Sequence, residues 1–293
     1  MVDKVSRNNW GKWGEDDQRG ALNRIDVAAT KRGIAAVKAG HSLPLAIPLS
    51  SKGPIAGMRA NPQHFMTRDG GDYCAGLKEK GFGYADDVVI LPTHGTTHID
   101  ALAHVWSDGK MWNGYSCNQV TSRGASKCSI ESMGPIVTRG IFLDFAGPDG
   151  PCEFEDVAIS VEQLQLAYER TELQAESGDA LIVRTGWLQR WRNGQAKETL
   201  WAGLDPDCAD WINEKGFALV AADNIAVEFG PSPLACNAAP MHVALMRNFG
   251  VVFMELLDLE ALAISARHDF LLMVSPLPIV GGVGSPVNPI AVL

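Results

Sequence analysis

The chain has 293 residues, 46% of them hydrophobic, enough for a sizeable core within one large or two modest domains. Its 25 basic and 34 acidic side chains leave a net charge of -9, which argues against nucleic acid, bound elsewhere through Lys and Arg at its phosphates. No apolar run is long enough to span a membrane, and Met1 to Asn9 lacks the apolar core of a signal peptide, so the cytoplasm is the expected compartment.

The six cysteines, Cys74, Cys117, Cys128, Cys152, Cys208 and Cys236, are scattered without a Cys-x-x-Cys pair and read as reduced thiols. From the N-terminus, residues 1–25 form a polar, glycine-rich extension carrying Trp10 and Trp13. These either pack onto the body of the fold or anchor an interface or roof a pocket. Asp26 is placed to cap a helix whose apolar stripe is Ala28, Ala29, Ile34, Ala35 and Val37, with Gly40 at its end. In His41 to Leu49 the prolines confine an apolar stretch to an edge or irregular strand. Residues 50–83 read as a long loop, in which Phe65 and Met66 are either pocket walls or packing, Tyr73 is a further aromatic and His64 a surface group.

Asp86 to Leu91 is a β-branched apolar run that predicts a buried strand ended by Pro92. The stretch from His94 to His104 then carries three of the seven histidines and a carboxylate. Gly95 permits a tight turn that returns His94 towards His98, and His98 and Asp100, two apart, share one face of an extended chain. Asp100 stands where the N-cap of a helix through Ala101 to Ala103 would be, with His104 one turn further on. Imidazole nitrogens beside a carboxylate suit a borderline divalent ion such as Zn2+ or Mn2+. Helix capping beside unrelated histidines is the bland alternative. Trp106 to Tyr115 follows as a turn-rich aromatic segment.

The second half alternates. Ile136 to Phe145 is a strand, Ser160 and Gln163 form a capping box for a helix to about Leu173, and Ala180 to Arg184 is a strand. Asp205-Pro206 starts a helix stopped by Gly216, and Phe217 to Ala221 is another strand. This βαβ rhythm predicts one α/β domain over residues 1–293. Met241 to Asn248, beginning near His242, is helical and ends at Gly250; Val251 to Leu257 is a strand with Glu255 inside it. A carboxylate there costs several kcal/mol to bury unless a cation or an Arg partner, Arg139, Arg184 or Arg247, meets it.

The run His94-Gly-Thr-Thr-His98-Ile-Asp100-Ala-Leu-Ala-His104 resembles the His-x-Gly-Thr-His-x-Asp-x-Pro-x-His signature of the cyclase family, metal-dependent hydrolases that include kynurenine formamidases and isatin hydrolases. Thr96 stands where glycine is usual and Leu102 where proline is usual, neither at a ligand position. The resemblance continues through Gly134 to Asp144, Arg184 to Trp187 and Gly281 to Pro286. It implies a swivelling β/β/α-like fold with a central mixed or barrel-like sheet flanked by helices, a dimer or tetramer, and one or two Zn2+ or Mn2+ ions per chain. His94, His98 and Asp100 would hold the first ion, with His104 as general base and then acid. His242 and Glu255 would either hold a second ion bridged by Asp100 or position the attacking water. A small aromatic or cyclic amide, a formamide or a lactone is the implied substrate.

Two rivals stand beside this reading. His98, Asp100 and His242 also fit the facial triad of a non-haem iron oxygenase, although that triad belongs on an all-β barrel and leaves His94 and His104 without a task. A metal-binding protein without catalysis is the other. No Gly-x-Ser-x-Gly or His-Glu-x-x-His is present, which removes the commoner serine-hydrolase and metalloprotease readings.

Overall fold

The computed structural model describes residues 7–55, 59–71, 81–147, 156–196, 200–231 and 239–293. Tyr73, Cys74, Cys152 and Cys236 lie outside the described residues.

A nine-stranded mixed sheet curls into a half-barrel. From edge to edge its strands are Ser42–Pro44, Ile290–Val292, Asp269–Val274, Ile136–Asp144, Ala180–Arg184, Leu219–Ala222, Val252–Glu255, His98–Asp100 and Gly284–Pro286. The four strands from Ile136–Asp144 to Val252–Glu255 run parallel, and the pairings on both flanks are antiparallel. Parallel strands covered on both faces lose their alternation, and Ala180–Arg184 and Leu219–Ala222 are buried at every position. The single α/β domain is thus the one that the rhythm of the second half implies, and its barrel-like mixed sheet the one that the family resemblance implies.

Helices follow the chemistry of their ends. Asp26 accepts from Ala29 N at 2.9 Å and opens Val27–Ala35. That helix ends before Gly40 and buries Ala29, Gly33 and Ala36, while Ala28, Ile34 and Ala35 of the expected stripe are exposed. Gly33 sets the rotation: a Cβ there would lie 2.6 Å from the carbonyl carbon of Thr138 on the sheet. Ser160 and Gln163 close a reciprocal capping box on Val161–Glu169. The segment after Pro240 becomes a π-helix over Val243–Phe249, and Gly250 ends it in the left-handed conformation.

Asp86–Ile90 is a strand, but it is exposed rather than buried. It pairs with Gln63–Arg68, inside the stretch read as loop, in a two-stranded ribbon. Side chains alternate across such a ribbon. One face presents Phe65, Val88 and Ile90, which are 50%, 42% and 58% exposed; the other carries an ion pair of His64 with Asp87 at 2.7 Å. Phe65 and Met66 are thus half exposed, and neither lines the apolar cleft beside the main sheet.

The extension packs onto the body. Trp10 Nε1 donates to Arg247 O at 2.8 Å, and Trp112 Nε1 donates to Asp17 Oδ2 at 3.0 Å. No helix among the described residues is long and apolar enough to cross a membrane.

Candidate metal centre

The site is assembled by strand register. Glu255 pairs with His98, and on the other side of that strand Pro286 pairs with His98 and Gly284 with Asp100. Paired residues share a face, so His98, Asp100 and Glu255 converge on one surface of the sheet. Asp100 caps no helix. The backbone beyond it is committed elsewhere, with Ala101 N donating to Val283 O and Ala103 N to Cys128 O, and the chain makes a turn in which His104 N donates to Ala101 O. That turn still brings His104 back over His94, the rings stacked with centroids 4.0 Å apart.

His94 enters from the turn closed by Gly95 N donating to Pro92 O. Its ring lies against Gly284, where an added Cβ would be 2.3 Å from Nε2. His98 Nδ1 donates to Thr96 O at 2.6 Å, which leaves Nε2 aimed at the carboxylates. His242, from the turn opened by Pro240, reaches the same cluster.

The distances are those of a gathered donor set. His94 Nε2 and His98 Nε2 lie 3.3 and 3.4 Å from Asp100 Oδ1. His98 Nε2 is 3.4 Å from Glu255 Oε2, and His242 Nε2 is 3.3 Å from Glu255 Oε1 and 4.0 Å from Asp100 Oδ2. The ligand atoms of His94, Asp100 and His104, and likewise those of His98, Asp100 and Glu255, lie within 4.8 Å of one another. Asp100 belongs to both groups. His104, read from the sequence as a base, is thus equally placed to be a ligand.

Electrostatics carry the fit to a cation. Asp100 and Glu255 are buried, and both oxygens of Asp100 and Oε1 of Glu255 lack a hydrogen-bond partner. Arg139, Arg184 and Arg247 do not approach Glu255: Arg139 binds Asp179, Arg184 binds Asp144 and Glu260, and Arg247 donates to the carbonyls of Lys110 and Ser107. In the metal-free protein imidazolium serves instead. Burial disfavours the charge on His98, but Asp100 and Glu255 overcome it and hold His98 up to about 10. Burial is likewise outweighed at His242, held up to about 10 by Glu228 and Glu255. Burial would raise Asp100, but His104, His98 and His94 hold it below its ordinary value; at Glu255 the same opposition is overcome by His242 and His98. His94, dominated by burial, falls to about 4, and burial also lowers His104. Two anions that recruit two imidazolium ions in the absence of metal form a donor set suited to a divalent ion.

Glu228 escaped the sequence reading. It accepts from His242 Nδ1 and from Met241 N, the latter at 2.9 Å. The signal was the one that marked Glu255, a carboxylate inside an apolar run, here Ile225-Ala-Val-Glu228-Phe229. An apolar cleft of about 810 Å³ passes Ile47, Thr96, Thr97, Met273 and Pro286, and none of the six candidate residues lines it. Cys128 and Cys208 are buried with thiols pushed up to about 12, which makes them poor nucleophiles.

The Cyclase family model matches residues 43–229, a span that contains the His94 to His104 motif and Glu228 but neither His242 nor Glu255. A search of the curated proteins found no match. A crystal structure described as a novel cyclase is 36% identical, with a TM-score of 0.91 over 98% of this chain and all of that one (100%). Isatin hydrolase A from Ralstonia solanacearum is 22% identical at a TM-score of 0.66, covering 86% of this chain and 91% of that one. A predicted metal-dependent hydrolase from Bacillus stearothermophilus is 17% identical at 0.53, covering 86% and 97%. These last two share the fold. With its motif residues gathered on three adjacent strands and the turns beside them, and with a family model and a 36% identical structure in agreement, the chain belongs to the Cyclase family.

Proposed function

We propose that the protein is a metal-dependent hydrolase that cleaves the C–N or C–O bond beside a carbonyl in a small amide, formamide or lactone. The observation that carries the reading is the pair of buried carboxylates, Asp100 and Glu255, with unpartnered oxygens facing imidazoles of His94, His98, His104 and His242. His94, His98 and Asp100 would hold Zn2+ or Mn2+, and Glu255 and His242, whose Nε2 lies 3.3 Å from Glu255 Oε1, would complete the set or hold a second ion that shares Asp100. When bound, such an ion supplies Lewis acidity and a water of near-neutral pKa.

The protein's own groups then divide the remaining work. His98 is fixed by Thr96 O and presents only Nε2 to the site. A histidine at the rim is suited to accept a proton from the attacking water and return it to the leaving group, and half-buried His104, stacked on His94, is the candidate. Trp106, two residues along the chain from His104 and 48% exposed, suits a small flat substrate such as an isatin-like lactam. Isatin hydrolases among the structural neighbours support that class. A homo-oligomer is part of the proposal, supported by the exposed apolar face of the Phe65–Val88 ribbon. Metal analysis together with turnover of a panel of formamides, lactams and lactones tests it. Metal-dependent opening of a panel member is expected, and a metal-loaded protein inert to the whole panel would refute hydrolysis.

A further inference from the structure

We infer that Glu228 is a positioning residue for His242, and that its carboxylate fixes which ring nitrogen faces the metal centre. The inference rests on reading the Asp100 and Glu255 cluster as that centre. A buried carboxylate only accepts hydrogen bonds, so the contact between Glu228 Oε1 and His242 Nδ1 places the proton on Nδ1. Nε2 of the same ring is then left towards Glu255 Oε1 at 3.3 Å and Asp100 Oδ2 at 4.0 Å. Phe253 stands edge-on to the ring, centroids 4.7 Å apart and planes at 69°, and limits its rotation.

Glu228 is itself held rigidly. Its carbonyl accepts from Trp201 Nε1 at 3.0 Å, and Asn224 Oδ1 accepts from Val227 N at 2.7 Å, shaping the turn before it. Gly203 lies so close that an added Cβ would be 2.3 Å from the Glu228 carbonyl carbon. Oε2 accepts from Met241 N at 2.9 Å and Oε1 from His242 N at 3.4 Å, so one carboxylate ties both the backbone and the ring of His242 to this clamp. A carboxylate behind a ligating histidine orients the ring and raises its basicity. Helix capping alone would explain the backbone contacts but would leave the ring's tautomer free.

The test compares wild type with Glu228→Gln by zinc competition against a chelator and by the His242 ring resonances in long-range 1H–15N spectra. Zinc affinity is expected to fall about 10- to 100-fold in Glu228→Gln. The strongly deshielded Nδ1 proton of wild type is expected to move upfield. Unchanged affinity and an unmoved Nδ1 resonance would overturn the inference. If Glu228→Gln does not fold, the wild-type spectrum decides alone: a His242 ring carrying its proton on Nε2 with bare Nδ1 refutes the positioning role. If wild type binds no zinc yet keeps the Nδ1 proton on Glu228, the metal reading fails and the orientation of His242 by Glu228 stands.

Discussion

Glu255 and His98 face each other across an antiparallel pair of strands, Oε2 and Nε2 3.4 Å apart, both side chains buried. Each side chain is an electrostatic liability without the other. Glu255→Gln preserves shape and removes the charge. It is expected to weaken divalent-ion binding strongly and to cost the metal-free fold about 3–5 kcal/mol, the usual consequence of breaking a buried pair. Metal titration and chemical denaturation check both, and unchanged values would assign Glu255 to packing.

The metal-free protein should carry a distinct pH signature. His98 and His242, held up to about 10 from an ordinary 6.5, bind protons that the unfolded chain has released over that window. Their contribution to stability is therefore complete below 6.5 and is lost as pH rises towards 10. His94, lowered to about 4, acts in the opposite sense: its contribution is present above 6.5 and is lost as pH falls to about 4. Thermal unfolding of chelator-treated protein should thus decline on both sides. Metal-loaded protein, whose ligating imidazoles are already without the displaced protons, should lose the alkaline decline.

Gly284 sits beneath the ring of His94, and Gly284→Ala would put a carbon 2.3 Å from Nε2. The substitution is expected to displace His94, lower metal affinity and cost about 1–3 kcal/mol as an overpacked site. Chelator competition on the variant checks this, with Gly281→Ser at a neighbouring turn as a comparison for general loop damage.

The ribbon face of Phe65, Val88 and Ile90 is expected to be covered by a second copy of the chain. The double variant Phe65→Ser and Ile90→Ser should shift the oligomer towards smaller species in light scattering at micromolar concentration. A wild type that is monomeric throughout would contradict the association.

The candidate metal residues are legible in the sequence because chemistry concentrates in them: three histidines and an aspartate within His94 to His104 imply convergence whatever the local fold. The helix after Asp100 was misread because the pattern of a cap followed by Ala-Leu-Ala is local, whereas Asp100 is claimed by a ladder with Gly284, nearly two hundred residues away. The apolar run Val88-Val-Ile90 signalled burial, yet the strand is exposed, because it pairs in a two-stranded ribbon outside the main sheet. Glu255 was visible as an anomaly, but its partners are His98 and His242 rather than an arginine, since spacing carries no information on which cation a distant strand delivers.

The most direct test of the central claim is the divalent-metal content of protein purified without chelator, measured beside His98→Ala. At least one equivalent of zinc or manganese per chain in wild type, lost in the variant while the fold is retained, is the expected result. Wild-type protein that stays metal-free even after titration with both ions would contradict it.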